Sequence, residues 1–282
     1  MTDVPDATAA DGPLVVKLGG GMDPGPALDD LAALAAHGRG LVVVHGGGAE
    51  ADRLSAQLGL PVRTVTSPDG TRGRRTDDAA LDVLAMALLG RVKPALVHGL
   101  RARGVAAAGV SGADGGLLTA ERKTALRSVE NGRTRLLRDD RSGRVTGVRP
   151  GILHALLAQG LVPVVSPPAA DATGSLLNVD SDQVAAALAE ALPAAALVLL
   201  TDAPGVLADP ADPGSLIARL PCGPEVPAAA TGRMRHKVRA AARARRAGVG
   251  QVVIAHGHTA RPVRTALAGG GTAFAGPGEE LG

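Results

Sequence analysis

The chain has 282 residues, 45% of them hydrophobic, enough for a substantial core in one large α/β domain or two smaller lobes. Trp and Tyr are absent and Phe274 is the single phenylalanine, so Ala, Val, Leu and Ile must build the core; stacking platforms for single-stranded nucleic acid are excluded. The net charge of +3 is unevenly spread: residues 121–149 hold nine basic and four acidic side chains, residues 233–246 seven basic and no acidic ones, and the remainder is net negative.

Residues 1–13 carry three aspartates and no basic or apolar stretch, which reads as a disordered acidic tail and not a signal peptide. Residues 14–18 form an apolar run ending in Lys17-Leu18, broken by Gly19-Gly20-Gly21 and followed by a helical pattern over 26–37. The same grammar repeats at once. Residues 41–44 are a β-branched run, His45-Gly46-Gly47-Gly48 breaks it, and 49–58 suit a helix, so two tandem βα units predict a parallel sheet. Residues 61–75, rich in Pro, Gly, Thr and Arg, read as a loop, after which Thr76 or Asp77 caps helices through 89 and 103. A short strand is expected at 106–110. Residues 126–130 and 133–137 flank Asn131-Gly132, a hairpin signal because both central turn positions need positive φ.

A helix over 150–159 leads to a strand at 161–166, closed by Pro167-Pro168, and a loop over 169–175. A short strand precedes Asn178, residues 180–192 have helical Ala/Leu spacing with an acidic first turn, and 195–200 is a strand ending at Thr201-Asp202. After a loop at 209–214, residues 227–247 are helix-prone, 250–255 form a strong strand and 262–267 a final helix. The expectation is a three-layer α/β/α sandwich around an open, mainly parallel sheet, with lobes at 14–168 and 169–282. The lone Cys222 allows no intrachain disulfide, no Cys/His cluster has metal spacing, and no run of 18 apolar residues spans a bilayer. A soluble cytoplasmic protein with no membrane or nucleic-acid partner is expected.

Glycine turns at the carboxyl ends of adjacent strands would expose backbone N–H groups beside helix N-termini, a natural phosphate site. Other readings of these glycines fail. Gly46-x-Gly48-x-x-Ala51 matches a dinucleotide fingerprint, but no acidic residue ends a strand about 20 residues on. There is neither a G-x-S-x-G elbow nor a G-x-x-x-x-G-K-[ST] loop. Only four of the 30 cationic residues are lysines: Lys17, Lys93, Lys123 and Lys237. Lys17 at the end of an apolar strand needs an anionic partner, unless it merely snorkels there.

Lys17-Leu18-Gly19-Gly20, His45-Gly46-Gly47-Gly48, Arg74-Arg75-Thr76-Asp77, Asn178-Val179-Asp180-Ser181-Asp182-Gln183, Leu200-Thr201-Asp202-Ala203-Pro204-Gly205 and Gly232-Arg233-Met234-Arg235-His236-Lys237 stand in one order and spacing. Together they resemble the amino-acid kinase family, in its acetylglutamate kinase branch, over residues 14–273. Within that branch Ser111-Gly112-Ala113-Asp114-Gly115-Gly116, Arg122-Lys123 and Val129-Glu130-Asn131-Gly132 resemble kinases acting on aminoadipate or glutamate carried by a small acidic LysW-type amino-group carrier protein. One departure is Asp52, where an amide is the expectation for carrier-dependent kinases.

The resemblance implies ATP with Mg²⁺, a homodimer, and transfer of a phosphoryl group to a side-chain carboxylate. A glutamate-like acceptor, with a pKa near ~4.3, is already ionised and needs no general base. By the resemblance, Lys17 and Lys237 flank the phosphoryl, Gly20 and Gly47 donate backbone N–H groups, and Asp182 holds both ammonium groups. Gly46, Gly47, Arg74 and Asn178 would bind the acceptor, while Gly19, Gly20 and Asp202 join the two lysines around the nucleotide. Arg122, Lys123, Arg133 and Arg135 would meet the carrier, with no protein metal ligands. Plainer roles stay open: Asp182 and Asp202 as caps, Asn178 as a turn residue, the basic hairpin as a solvated face, and Arg75 in place of Arg74. Other functions on the same motifs are a kinase of free N-acetyl-L-glutamate and a non-catalytic nucleotide- or amino-acid-binding regulator.

Overall fold

A computed structural model describes residues 12–67, 72–124, 126–130 and 133–279, without the side chains of Glu130 and Arg133. The chain runs β1 (Leu14–Leu18), α1 (Gly25–Ala36), β2 (Leu41–His45), α2 (Gly48–Gln57), β3 (Thr64–Thr66), β4 (Arg72–Arg74), α3 (Asp78–Ala87), a π-helical turn Leu88–Val92 and α4 (Lys93–Arg101). It continues through β5 (Ala107–Ser111), β6 (Leu118–Arg122), β7 (Leu126–Glu130), β8 (Arg133–Leu137), β9 (Gly143–Val148), α5 (Gly151–Ala158), β10 (Val162–Ser166), β11 (Ala169–Ala170), β12 (Leu176–Leu177) and α6 (Ser181–Ala191). The last third holds β13 (Ala196–Thr201), β14 (Arg219–Pro221), α7 (Gly232–Arg246), β15 (Gln251–His256), α8 (Pro262–Leu267) and β16 (Thr272–Ala275).

Every residue of β1, β2 and β10 is buried, the condition under which a strand reads as an unbroken apolar run. These strands lie in an eight-stranded sheet of order β14-β16-β15-β13-β1-β2-β10-β5. All its pairings are parallel except β15 with β16. Alternate residues feed opposite cores. Val15, Val42, Val44, Leu197 and Leu199 pack with Leu153 of α5, Val184 of α6 and Val238 of α7. Leu14, Val16, Leu41, Val43 and Val198 pack with Leu28 of α1, Leu96 of α4 and Val263 of α8. The expected three-layer α/β/α sandwich around a mainly parallel sheet is what forms. The chain leaves β1 toward β2 on one side and returns at β13 on the other, so a topological switch point opens at their carboxyl ends, where both glycine turns lie.

Beside this sheet stand a four-stranded one, β12-β11-β6-β9, and two hairpins, β3-β4 and β7-β8. β3 lies against β7, which brings the two hairpins together. Several local expectations are corrected here. Residues 61–75 hold β3 and β4, three residues each and rich in Thr, Arg and Gly, which carry no apolar alternation to read. The expected loop at 169–175 begins with β11. The helix expected over 227–247 starts only at Gly232, because Thr231 is extended and Gly232 takes a positive φ of 52°. The Asn131-Gly132 turn and residues 1–11 of the acidic tail lie outside the described residues.

Candidate active site

Lys17 is the penultimate residue of β1, on the face covered by α6 and α7, and Asp182 sits in the first turn of α6. Asp180 is the N-cap of that helix, accepting from the Asp182 and Gln183 backbone N–H groups at 2.9 and 3.0 Å, which frees the Asp182 carboxylate for other partners. Lys17 Nζ lies 2.8 Å from Asp182 Oδ1. Lys237, from the second turn of α7, reaches the same carboxylate at 2.9 Å to Oδ1 and 3.0 Å to Oδ2. The three side chains are 7%, 10% and 7% exposed. Burial alone would raise the Asp182 pKa, but the two ammonium charges override it and hold it down to about 2. Lys237 is pushed below its ordinary value, first by burial and then by Lys17, against the pull of Asp182. One carboxylate facing two ammonium groups leaves a local charge of +1, suited to an anionic ligand.

The glycine turns meet beside this triad. A Cβ on Gly20 would come within 3.0 Å of the Gly47 backbone nitrogen, and one on Gly46 within 3.1 Å of Ser181 Oγ at the start of α6. On Gly47 it would lie 2.5 Å from Leu88 Cδ2 in the π-helical turn, a feature found often at functional sites. Side chains here would fill the groove and cover its backbone donors. On the β13 side, a Cβ on Gly21 would sit 3.2 Å from Asp202 Oδ2, and Asp202 Oδ1 is 3.0 Å from His258 Nε2. Gly19 packs under this edge, its missing Cβ 3.1 Å from the Leu200 carbonyl.

On the β2 side the two adjacent arginines part ways. Arg74 Nη2 donates to the Gly48 carbonyl at 3.0 Å and pairs with Asp52 Oδ1 at 2.5 Å, at the start of α2, whereas Arg75 turns to Asp139 at 2.6 Å. Asn178 Nδ2 donates to the buried Thr76 Oγ1 at 2.9 Å. Residues 138–142 brace this corner: buried Asp140 accepts from the Thr76 and Ser142 backbone N–H groups at 2.9 and 2.7 Å. The Arg141 N–H donates to the Thr76 carbonyl at 2.6 Å, and the Asn178 N–H to the Arg141 carbonyl at 2.9 Å. Arg122 spends Nε on the Asp140 carbonyl and Nη2 on the Arg138 carbonyl, both at 2.8 Å, so its guanidinium is built into the brace. Lys123 and Arg135 are exposed, and the Arg133 side chain lies outside the described residues.

Sequence reasoning did not find the contributions of Asp52, Thr76, Asp140 and His258. Thr76 stands inside a quoted motif, and Asp139-Asp140 is an acidic pair amid a basic cluster; those are the signals available. His45 is buried, with Nδ1 2.9 Å from the Gly46 carbonyl and no hydrogen-bond partner for Nε2 among the described residues. Burial lowers its pKa from 6.5 to about 4, aided by the charges of Lys93 and Lys17 and opposed by the Gly46 hydrogen bond. Between those values the unfolded chain binds a proton that the folded one refuses, so stability falls as pH drops, by at most about 3 kcal/mol. Melting temperature is expected to decline from pH 7 to 4.5, and His45→Gln to flatten that slope; an unaltered slope would refute the assignment.

The fold and its paired lysines define an amino acid kinase: the family model matches residues 12–256, and the chain belongs to the amino acid kinase family. Among individual proteins it is similar to the [LysW]-aminoadipate kinase of Deinococcus radiodurans, 42% identical over 92% of this chain and 90% of that one. It is also 40% identical to the acetylglutamate kinase of Rubrobacter xylanophilus, over 91% and 94% of the two chains. Giardia carbamate kinase shares the fold, with a TM-score of 0.65 at 15% identity over 95% of this chain and 100% of that one.

Proposed function

We propose that the protein transfers the γ-phosphoryl group of ATP to the side-chain carboxylate of an aminoadipate or glutamate whose amino group is carried by an acidic LysW-type protein. The product is an acyl phosphate. The observation that carries this reading is the convergence of Lys17 and Lys237 on Asp182 beside two turns of bare backbone N–H groups. A carboxylate oxygen attacks the γ-phosphorus, the bond to the β–γ bridging oxygen breaks, and ADP leaves with that electron pair; no proton moves. Two anions must approach in line, so catalysis reduces to positioning and charge neutralisation. Lys17 serves the β/γ side and the acceptor, Lys237 the leaving ADP, and Gly20 and Gly47 the phosphoryl oxygens. Asp182 holds both lysines, with residues 14–168 binding the acceptor and 169–282 the nucleotide. Asp202 and Gly19 border the nucleotide; Arg74, Asn178 and Gly46 border the acceptor.

Asp182 is already committed to two ammonium groups, and no three metal-binding side chains cluster among the described residues, so Mg²⁺ fits as a companion of the triphosphate. Bound with the nucleotide, it would supply further charge neutralisation. A cytoplasmic homodimer belongs to the same reading. The carrier is favoured over a free acetylated acceptor by the basic β7-β8 hairpin, where Lys123 just before it and Arg127 and Arg135 on its two faces are exposed, and where strand β7 touches β3 of the acceptor corner.

Incubation with ATP, Mg²⁺ and either N-acetylglutamate or a carrier-linked amino acid, with hydroxylamine to trap acyl phosphate, tests the reading. Hydroxamate from carrier-linked acceptors is expected; hydroxamate from N-acetylglutamate alone favours the small-molecule kinase, and none from any acceptor refutes both. Lys123→Glu with Arg127→Glu should raise KM for the carrier-linked acceptor about tenfold, an effect that added salt erodes. KM for ATP should not move. An unchanged carrier KM would remove the hairpin from the docking surface.

A further inference from the structure

The mechanism leaves one ion pair without a purpose. Arg74 stands on β4, yet its guanidinium is tied across to α2 through one nitrogen: Nη2 donates both to the Gly48 carbonyl at 3.0 Å and to Asp52 Oδ1 at 2.5 Å. It makes no other hydrogen bond among the described residues. Nε and Nη1, carrying three N–H groups between them, are therefore uncommitted on a side chain only 17% exposed. Asp52 itself is 47% exposed and contributes no packing to the core. With both Nη2 hydrogens spent, neither two-donor edge of the guanidinium is free, and a further anion is met by the Nε–H or by an Nη1–H as a single charge-assisted bond.

We propose that Asp52 is a positioning residue for the acceptor, its Oδ1 holding Arg74 so that one remaining N–H meets a second carboxylate of the substrate, next to its amide-linked amino group. The proposal rests on the functional reading above. What the role requires is a side-chain oxygen one turn into α2; Asp52→Asn keeps that oxygen and Asp52→Ala deletes it. Without the anchor, Arg74 must give up rotamer freedom each time the acceptor binds, a cost paid in acceptor affinity and not in the chemical step.

Asp52→Ala should raise acceptor KM about tenfold or more, with kcat within about threefold of wild type and KM for ATP unchanged. Acceptor binding measured calorimetrically without ATP should weaken by the same factor, and Asp52→Asn should restore both. An Asp52→Ala enzyme with wild-type acceptor affinity would overturn the proposal, as would an Asp52→Asn variant equally impaired. Failure of the functional reading looks different: wild-type protein that neither binds nor phosphorylates any of these acceptors.

Discussion

Asp182→Asn is expected to lower the free energy of unfolding by about 3–5 kcal/mol, the usual result of stripping the partner from a buried charge. Lys17 and Lys237 would then face each other as two buried cations with only a neutral amide between them. The same change should cut turnover at least ~10²-fold, because both ammonium groups lose the anchor that fixes their positions. Urea unfolding and hydroxamate rates measure the two effects separately. The pH dependence of the wild type follows from the same carboxylate. Its folded pKa of about 2 lies below the ordinary 3.8, so the stability it contributes is complete above 3.8 and lost as pH falls through about 2. If Asp182→Asn unfolds at the wild-type urea concentration, the triad is not the buried charge cluster described.

Lys17→Met should separate function from stability. Removing this ammonium leaves Asp182 engaged by both oxygens with Lys237, at 2.9 and 3.0 Å, a neutral buried pair in place of a cluster of charge +1. Stability should therefore stay within about 1 kcal/mol of wild type, since exchanging a buried ion for an apolar group of similar volume is often neutral. Turnover should nevertheless fall by about 10²–10³-fold, the cost of deleting one fixed donor from the path of the migrating charge. Thermal melting and single-turnover phosphoryl transfer would check this. A variant that keeps its turnover would remove Lys17 from the reaction, and one that unfolds would make it structural.

The central sheet was legible because strands buried on both faces are mostly apolar, as β1, β2, β10 and β13 are up to the Lys17, His45, Ser166 and Thr201 near their carboxyl ends. β14 and β16, at one margin of the sheet, and the brief β3, β4 and β11 carry no such run, and their pairing is decided by neighbours distant in the chain. The site divides the same way. Lys17 and Lys237 stand out as rare lysines, and the glycine turns announce themselves by interrupting strands. Asp52, Asp140 and Thr76 bond to partners 22, 64 and 102 residues away, so their local surroundings single them out without showing what they hold. Arg74 and Arg75 are equivalent in sequence and separate only when β4 pairs with β3, which turns one toward α2 and the other toward Asp139.

The brace at residues 138–142 constrains how such a protein could be re-engineered for a different carrier. It hangs from the base of the β7-β8 hairpin, yet its inner side supplies the hydrogen bonds that seat Thr76 and Asn178. A chimera that transplants the hairpin strands alone would import a foreign junction at Arg138 and disturb the hydrogen bonds behind it. Swaps should therefore span residues 122–144 as one cassette, moving the hairpin and its internal buttress together.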